Sequence, residues 1–388
     1  MLRVSDRFYI SVKIDGKELP LEKLAFRSFQ AHSSVNFYQP MANLSVVDNQ
    51  RYFDTNPVGD GVKFEVYTGT TKDIAKAKIY KFRHFKTDKS PIGGNIQAYN
   101  FRLVFDAPRF LNENLVSSIK GTSSEVIKKL AAQVPINKVV ADPSSDSMSW
   151  LPFGMKRCEF ARQVCNHAYA NASSCFMLGI RLDGSLHFRN VSTIDLSKSN
   201  TLMVRGTSKL SDSIKIIGYR EVAASGLSNL VTGYKMETIE QGTGEDKSYT
   251  KVSAPTTSPS VLINSNISLG IEGSKIVNTP IASSNTHPNY QNALHQNKRI
   301  RNTFMLSTFV ATDHMTDLDL FDTAKFMLVE QGQGKTQLNE KISGSYLIVA
   351  KTIYATKDGM YYEKFQLQRQ GYNANTISSS QMKALEAK

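Results

Sequence analysis

The chain has 388 residues, of which 40% are hydrophobic, and its formal net charge is +13 at pH 7. That length is enough for two or three domains with their own cores, and the composition is that of a globular protein. No apolar stretch approaches the roughly 20 residues that span a bilayer. The first residues lack the apolar core of a secretory signal, so we expect neither a membrane anchor nor export.

Short alternating segments dominate the first part of the chain. The apolar residues of segment 8–14 alternate with polar ones, and Asp15 and Gly16 then form a hairpin turn signal. Similar segments continue up to residues 99–105. A series of short strands separated by turn signals predicts a barrel or a sandwich, and we assign residues 1–113 to a first β-barrel domain.

A small α/β module is predicted for residues 114–200. Thr122 and Glu125 form a capping box at the start of a helix that Pro135 ends. A hairpin turn signal at residues 183–184 follows a second helix with an apolar stripe. The stripe consists of Cys158, Ala161, Val164, Cys165 and Ala168. The three cysteines of the chain all lie in this module, and so small and odd a set indicates reduced thiols in a cytoplasmic fold.

Residues 201–236 and 300–371 are predicted to form a second β-barrel domain. Its clearest feature is a hairpin that ends with the alternating residues 361–369. This hairpin resembles the earlier one that ends with residues 99–105, which indicates a weak internal repeat.

The second β domain is interrupted by residues 237–299, which are rich in Ser, Thr, Asn, Gly and Pro and predict a loop-rich insertion. A polar helix is expected from Tyr290 to about Arg301, and residues 372–388 form a C-terminal tail. The predicted fold is therefore a β-rich α+β fold. It has two antiparallel β-barrel domains, a small α/β module between them and a long insertion in the second barrel.

Three patterns that could mark a cofactor or metal site fail on their spacing. Residues 332–336 resemble the end of a phosphate-binding loop, but Val329 replaces a required glycine. The acidic segment 313–322 lacks the glycine and the third ligand of a calcium loop. The cysteines and histidine of segment 158–167 are spaced too widely for a structural zinc site. We therefore predict no cofactor, no metal, no catalytic residue and no enzyme.

The densest basic run lies in and around one predicted strand. Its candidate interface residues are Lys76, Lys78, Lys81, Arg83 and Lys86. A solvated or interface strand face is the simpler interpretation, and the alternative is a nucleic-acid-binding β-barrel protein that uses this basic face. A tail-associated hydrolase is a third hypothesis, but no residue pattern supports it.

The order of the elements is itself informative. It comprises the first β unit to about Arg109, the segment Gly121–Leu130, the Trp150-centred entry to the second helix, the segment Asp183–Phe188, and the closing strands Gly344–Val349 and Tyr361–Arg369. In this order the chain resembles the central baseplate hub proteins of contractile phage tails. It is also similar to the N-terminal hub part of type VI secretion spike proteins.

This resemblance implies a homotrimer in which two tube-like barrels per chain build a pseudo-sixfold ring. Such a ring adapts a hexameric tail tube to a trimeric spike, so the expected partners are the chain itself, the tail tube protein, the spike protein and other baseplate proteins. DNA is expected only as cargo that passes through the ring. The expected location is the tail baseplate of a virion that is assembled in the host cytoplasm. Because the chain ends at Lys388 without a long β-helical region, we expect the spike to be a separate polypeptide.

Tube and spike contacts are expected from loops at the ends of the barrels. The candidate partner-interface loop consists of Gln331, Gly332, Gln333, Gly334, Lys335 and Thr336. A strongly basic channel would retard DNA, so we expect the lysines to face acidic neighbouring proteins.

Overall fold

A computed structural model shows a β-rich chain with short helices between the strands. It describes residues 2–5, 8–35, 39–136, 138–223, 286–304, 306–332, 335–372 and 374–386, and the strands within residues 234–282. Among these residues, no helix is long and apolar enough to cross a membrane.

The first β unit is a curled sheet with one buried face. Its elements are β1 Leu2–Ser5, β2 Phe8–Ile14, β3 Lys17–Glu18, β4 Phe26–Ser34, β5 Met41–Asp48, α1 Tyr52–Thr55, β6 Lys63–Gly69, β7 Lys78–Gly93, β8 Ile96–Phe105 and α2 Pro108–Asn112. Phe8, Ile10 and Val12 are fully buried because alternate residues of a strand point to the same side. The turn at Asp15 and Gly16 is confirmed, with φ values of 47° and 80°.

The central module packs two helices against short strands. Its elements are β9 Ile119–Gly121, α3 Ser123–Ala132, β10 Val139–Ala141, β11 Met148–Trp150, α4 Arg157–Asn166, β12 Phe176–Ile180 and β13 Leu186–Asn190. The capping box of α3 is confirmed, because Thr122 and Glu125 each accept from the other's backbone N–H. The stripe of α4 is partly wrong: Phe160 is fully buried in it, whereas Cys158 is only half-buried, at the edge where its Sγ faces the Leu111 carbonyl.

The second half of the chain contains the remaining elements. They are β14 Leu202–Arg205, β15 Ile214–Lys215, β16 Gly218–Ala223, β17 Tyr234–Gln241, β18 Lys247–Ser253, β19 Thr257–Pro259, β20 Asn266–Ser268, β21 Lys275–Ala282, α5 Tyr290–Thr303, β22 Leu306–Thr312, β23 Thr323–Gly332, β24 Lys335–Leu338, β25 Gly344–Thr356, β26 Tyr361–Arg369 and α6 Ser379–Glu386. The segment predicted to be a loop-rich insertion contains most of β17 and all of β18 to β21, and these strands pair among themselves. The polar helix predicted from Tyr290 is confirmed as α5.

The strands of the second β unit pair in an open series. It runs from β15 through β14, β23, β25, β26 and β22 to β16, and β15 leads along the chain into β16. The core of this unit is an apolar cluster that includes Phe326, Tyr346 and Phe365. The prediction of purely antiparallel strands is wrong at β14, which runs parallel to β15 and to β23. The connection at residues 206–213 returns the chain to the starting end of β14, so β15 begins beside it in the same direction.

The same strand order occurs twice. In the first unit the neighbours follow one another as β2, β6, β7, β8, β5 and β4, and in the second as β14, β23, β25, β26, β22 and β16. The two orders differ at their first pair, which is antiparallel in the first unit and parallel in the second. Both units belong to one sheet of 16 strands in the described part of the chain.

Helix α5 returns the chain from the insertion to the central module. The side chain of Asn297 is buried and accepts from the Phe176 N–H at 2.9 Å, while its amide donates to the carbonyls of Asn166 and Ala168 at 3.0 and 2.9 Å. The Tyr290 ring stacks on His167 with centroids 3.8 Å apart. These buried polar contacts have no periodic signal in the sequence, so the docking of α5 was not predicted.

The imidazole of His187 is buried where β13 meets the second β unit. Its ring stacks on Phe321 with centroids 6.1 Å apart, and Nε2 lies 3.0 Å from the Ser185 hydroxyl. Burial, with the nearby charge of Arg181, lowers the pKa of His187 to about 4. The imidazole therefore binds a proton more readily in the unfolded chain than in the folded one. The stability contributed by neutral His187 is present at pH 7 and is lost as the pH falls from about 6.5 to 4.

We expect His187→Asn to lessen the acid-induced loss of unfolding free energy by roughly 2 kcal/mol between pH 7 and pH 4. Urea denaturation at a series of pH values would measure it. His314→Asn, at a side chain that is 42% exposed, is the matched control for replacing a histidine. Parallel pH profiles for the wild type and His187→Asn would contradict the assignment.

Candidate functional site

Strands β4 and β25 join the two β units edge to edge. Residues 28–34 and 350–356 form seven antiparallel pairs. Across this ladder, His32 Nδ1 lies 2.8 Å from the Thr352 hydroxyl, although the two residues are 320 positions apart in sequence. Ile353 of β25 also lies in the core of the first unit. Hydrogen bonds and shared burial therefore hold the two units in one fixed arrangement.

The solvent side of this joined sheet is polar and carries few charges. Two rows of side chains cross β26, β25, β4, β5 and β8 on that side. The rows are Tyr362, Tyr354, Gln30, Asn43 and Arg102, and Lys364, Thr352, His32, Met41 and Val104. The first row carries hydroxyl and amide groups and one Arg, and the second combines one Lys with Thr, His and the apolar Met and Val. This gives a broad surface with a weak electrostatic field.

The acidic segment 313–322 connects β22 to β23 and links the parts of the chain. Asp317 pairs with Lys78 of the first unit at 2.7 Å, and the hydrogen bond to this lysine lowers the pKa of Asp317. Asp322 pairs with Arg181 of the central module at 2.5 Å. Asp317 and Asp322, which lie in the segment that lacks the pattern of a calcium loop, thus form ion pairs with two other parts of the chain.

A buried polar network holds the same segment against β25 and β26. Lys351 Nζ lies 3.2 Å from Glu363 Oε2, and both side chains are buried. Glu363 also accepts from the N–H and the hydroxyl of Thr316 at 3.2 and 2.6 Å. Nearby, Asp319 accepts from the Leu182 N–H at 3.2 Å, and burial raises the pKa of Asp319.

Most residues of the predicted basic interface are paired within the chain. The pairs are Lys76–Asp73 at 4.0 Å, Lys78–Asp317 at 2.7 Å, Arg83–Asp106 at 2.5 Å and Lys86–Asp88 at 3.2 Å. Lys81 lies opposite Glu65 in the ladder between β6 and β7 and borders a polar cleft of about 180 Å³ against the central module. A nucleic-acid groove needs cations that can neutralise phosphates, so this pairing weighs against the nucleic-acid alternative.

The predicted partner-interface loop falls on the hairpin of β23 and β24. The pairs at its end are Gln331↔Thr336 and Gly332↔Lys335, while Gln333 and Gly334 lie outside the described residues. A strand follows the glycines, as the sequence predicted, so this segment offers no helix N-terminus to a phosphate.

The thiols of the central module have packing roles. Burial raises the pKa of Cys165 to about 11 and that of Cys175 to about 12, which disfavours the thiolate that metals bind. Among the described residues, no group of three His, Cys, Asp or Glu side chains could hold a metal ion.

Known structures share this fold. A tail protein from Neisseria meningitidis matches with a TM-score of 0.59 and 13% sequence identity, over 94% of this chain and 98% of that one. The 43 kDa tail protein of prophage MuSo2 from Shewanella oneidensis matches with a TM-score of 0.58 and 10% identity, over 94% and 99% of the two chains. The chain has the fold of a phage tail protein.

The tail-protein fold also occurs in a solved Francisella PdpA–VgrG complex, which matches with a TM-score of 0.50 and 9% identity over 96% of this chain and 53% of that one. No family model and no curated protein matches the sequence. At these identities the likeness lies in the fold, and the predicted resemblance to phage tail and type VI spike-related proteins is confirmed at that level.

Proposed function

We propose that the protein is the structural hub of a phage tail baseplate, without catalytic activity. It assembles as a homotrimer with pseudo-sixfold symmetry and adapts the hexameric tail tube to a trimeric spike, with other baseplate proteins as further neighbours. Each chain contributes two tube-like β-barrel domains, so that three chains present six. The hub is then part of the virion tail, and it is assembled in the host cytoplasm.

The observation that carries this proposal is the repeated strand order in one continuous sheet. A sixfold tube and a threefold spike cannot both match a ring of identical single domains. Two similar units per chain resolve the mismatch, and the ladder between β4 and β25 fixes the angle between them. The tail-protein fold of the chain supports the same role.

The polar face of the joined sheet is our candidate for the channel wall. Its few charges suit the passage of DNA, because phosphates are bound mainly by unpaired Lys and Arg. The basic residues around β7 are paired within the chain or border the cleft against the central module. We place the remaining positive charge, and the hairpin at residues 331–336, at contacts with neighbouring tail proteins.

Light scattering at increasing protein concentration, near physiological salt, tests the proposal. The expected result is a stable particle of three times the mass of one chain, with six lobes in end-on electron micrographs. A particle that stays monomeric or dimeric at every concentration would contradict the hub. DNA binding that weakens steeply with salt would instead favour the nucleic-acid alternative.

A further inference from the structure

Two strand edges, one in each β unit, are open. The ladder from β6 ends at Arg83 of β7, and no described strand pairs beyond that point on the side of β7 away from β8. Strand β16 pairs with β22 on one side, and among the described residues its other side is open as well. Exposed apolar side chains flank both edges: Phe85 (65% exposed) and Ile92 (51%), and Ile217 (48%), Tyr219 (40%) and Val222 (38%). Such edges can accept another strand.

The chain already contains the matching contact, between β4 and β25. Strands β7 and β25 occupy the same place in the two units, and each has an irregularity at the same point of its hairpin, at residues 84–86 and 348–350. In β25 the ladder to β4 begins at Ala350, directly after this irregularity. The equivalent residue of β7 is Lys86, where the open edge begins.

Strand β16 corresponds to β4 by the same reasoning. Each is the last strand of its unit, and the ladders through β5 and β8, or through β22 and β26, make Arg220 the equivalent of Gln30. We propose that β16 of one copy pairs antiparallel with β7 of a second copy, with residues 218–223 opposite residues 87–92. This contact repeats between chains the ladder that β4 and β25 form within one.

The side chains fit this register. It places Glu221 directly opposite Lys89, and opposite charges at such positions stabilise an antiparallel pair. Within the chain, Glu221 accepts from the Tyr372 hydroxyl and Lys89 lies 3.8 Å from Asp54, so the pair between copies adds to contacts that both side chains already make. Ile92 lies opposite Gly218 at the end of the proposed ladder, next to the second irregularity of β7 between Pro91 and Gly93, and pairing covers its exposed side chain. Pro91 lies opposite Tyr219 and has no N–H to donate, so the contact has fewer hydrogen bonds than the ladder between β4 and β25.

The proposed partner is a second copy of this chain, because each copy carries both of the different strand edges that the contact needs. A contact between different edges is head-to-tail, and such contacts close into rings when the rotation allows and otherwise form filaments. The inference rests on the proposed hub, in which three copies close the ring. It adds the two strands that make the contact and their register.

Disulfide trapping in the full-length protein tests the register. Ser90 and Arg220 are both exposed and lie opposite each other in the proposed ladder, where Cα atoms are about 4.5–5.5 Å apart and a disulfide can form. Oxidation of the variant with Ser90→Cys and Arg220→Cys should give a covalent trimer on a non-reducing gel. The matched control replaces Arg220→Cys by Tyr219→Cys, because that neighbouring side chain points to the other face. Single variants control for the three native thiols.

A charge swap provides a second readout that does not depend on oxidation. Lys89→Glu or Glu221→Lys alone should shift the trimer to at least tenfold higher protein concentration. The double swap should recover the part of the loss that comes from the pair between copies, while the contacts of Lys89 with Asp54 and of Glu221 with Tyr372 stay lost. If light scattering shows a trimer that neither cross-links nor responds to the charge swap, this inference is overturned and the proposed hub function still stands. Specific cross-links in open-ended chains would support the strand contact and contradict the closed trimer. A protein that remains monomeric and is not cross-linked would overturn both.

Discussion

Lys351→Met is expected to lower the free energy of unfolding by roughly 3–5 kcal/mol, because it leaves the charge of Glu363 buried without its partner. Lys351 Nζ lies 3.2 Å from the Glu363 carboxylate and also donates to the Leu318 carbonyl at 2.7 Å. Both contacts hold the acidic segment 313–322, so its links to the first unit and the central module should loosen as well. Urea denaturation at pH 7 measures the loss.

Two further variants separate the buried charge from general damage. Replacing both residues, as Lys351→Met with Glu363→Leu, should recover at least half of the loss, because an apolar pair leaves no buried charge without a partner. Lys364→Met on the exposed side of β26 should change stability by no more than about 0.5 kcal/mol. If Lys351→Met lowered the free energy of unfolding no more than Lys364→Met does, the buried pair would contribute nothing to stability.

Arg369→Leu is expected to release the C-terminal tail and to cost about 3 kcal/mol, since several buried carbonyl groups lose their donor. Arg369 is fully buried and donates to the carbonyls of Ser343 and Ala374 at 3.2 Å each and of Lys341 at 2.5 Å. Its guanidinium carbon lies 4.7 Å from the centre of the Tyr346 ring. Limited proteolysis should cut the variant near residue 370, and hydrogen exchange should show lost protection in α6.

Gly344→Ala tests the same contact from the other side. A Cβ at Gly344 would lie 1.8 Å from a nitrogen of Arg369, so the guanidinium would have to move and the tail should loosen in the same way. Arg27→Leu, at an exposed position in the first β unit, is the control and should keep the tail protected. Intact protection of α6 in both Arg369→Leu and Gly344→Ala would show that the tail is held by other contacts.

Local signals in the sequence predicted the elements well. The capping box at Thr122 and the turn at Asp15 are where they were expected, because each depends on residues a few positions apart. The internal repeat was visible in two hairpins, although the strand ladders align Tyr361 with Gln97 rather than with Tyr99. A shift of two residues keeps the same side chains on the same face, which is why the alternation alone could not fix the alignment.

Long-range pairing was not predictable from the same signals. Nothing in the alternation of β4 indicates that its partner is β25, and the polar side of α5 gave no sign that Asn297 would be buried. One signal was available: Glu363 occupies an inward position between Tyr361 and Phe365. A carboxylate at such a position indicates a buried cation nearby, and Lys351 is that cation.

The ladder between β4 and β25 also affects how the protein is made. Strand β4 leaves the ribosome long before its partner, which lies 320 residues later at the pair His32 and Thr352. Until then the first β unit lacks Ile353 and Tyr361 from its core, and it exposes a strand edge of the kind that aggregates. A chain truncated before β26 therefore cannot complete even its first unit. Chaperones and proteases can thus recognise an unfinished chain at its N-terminal end.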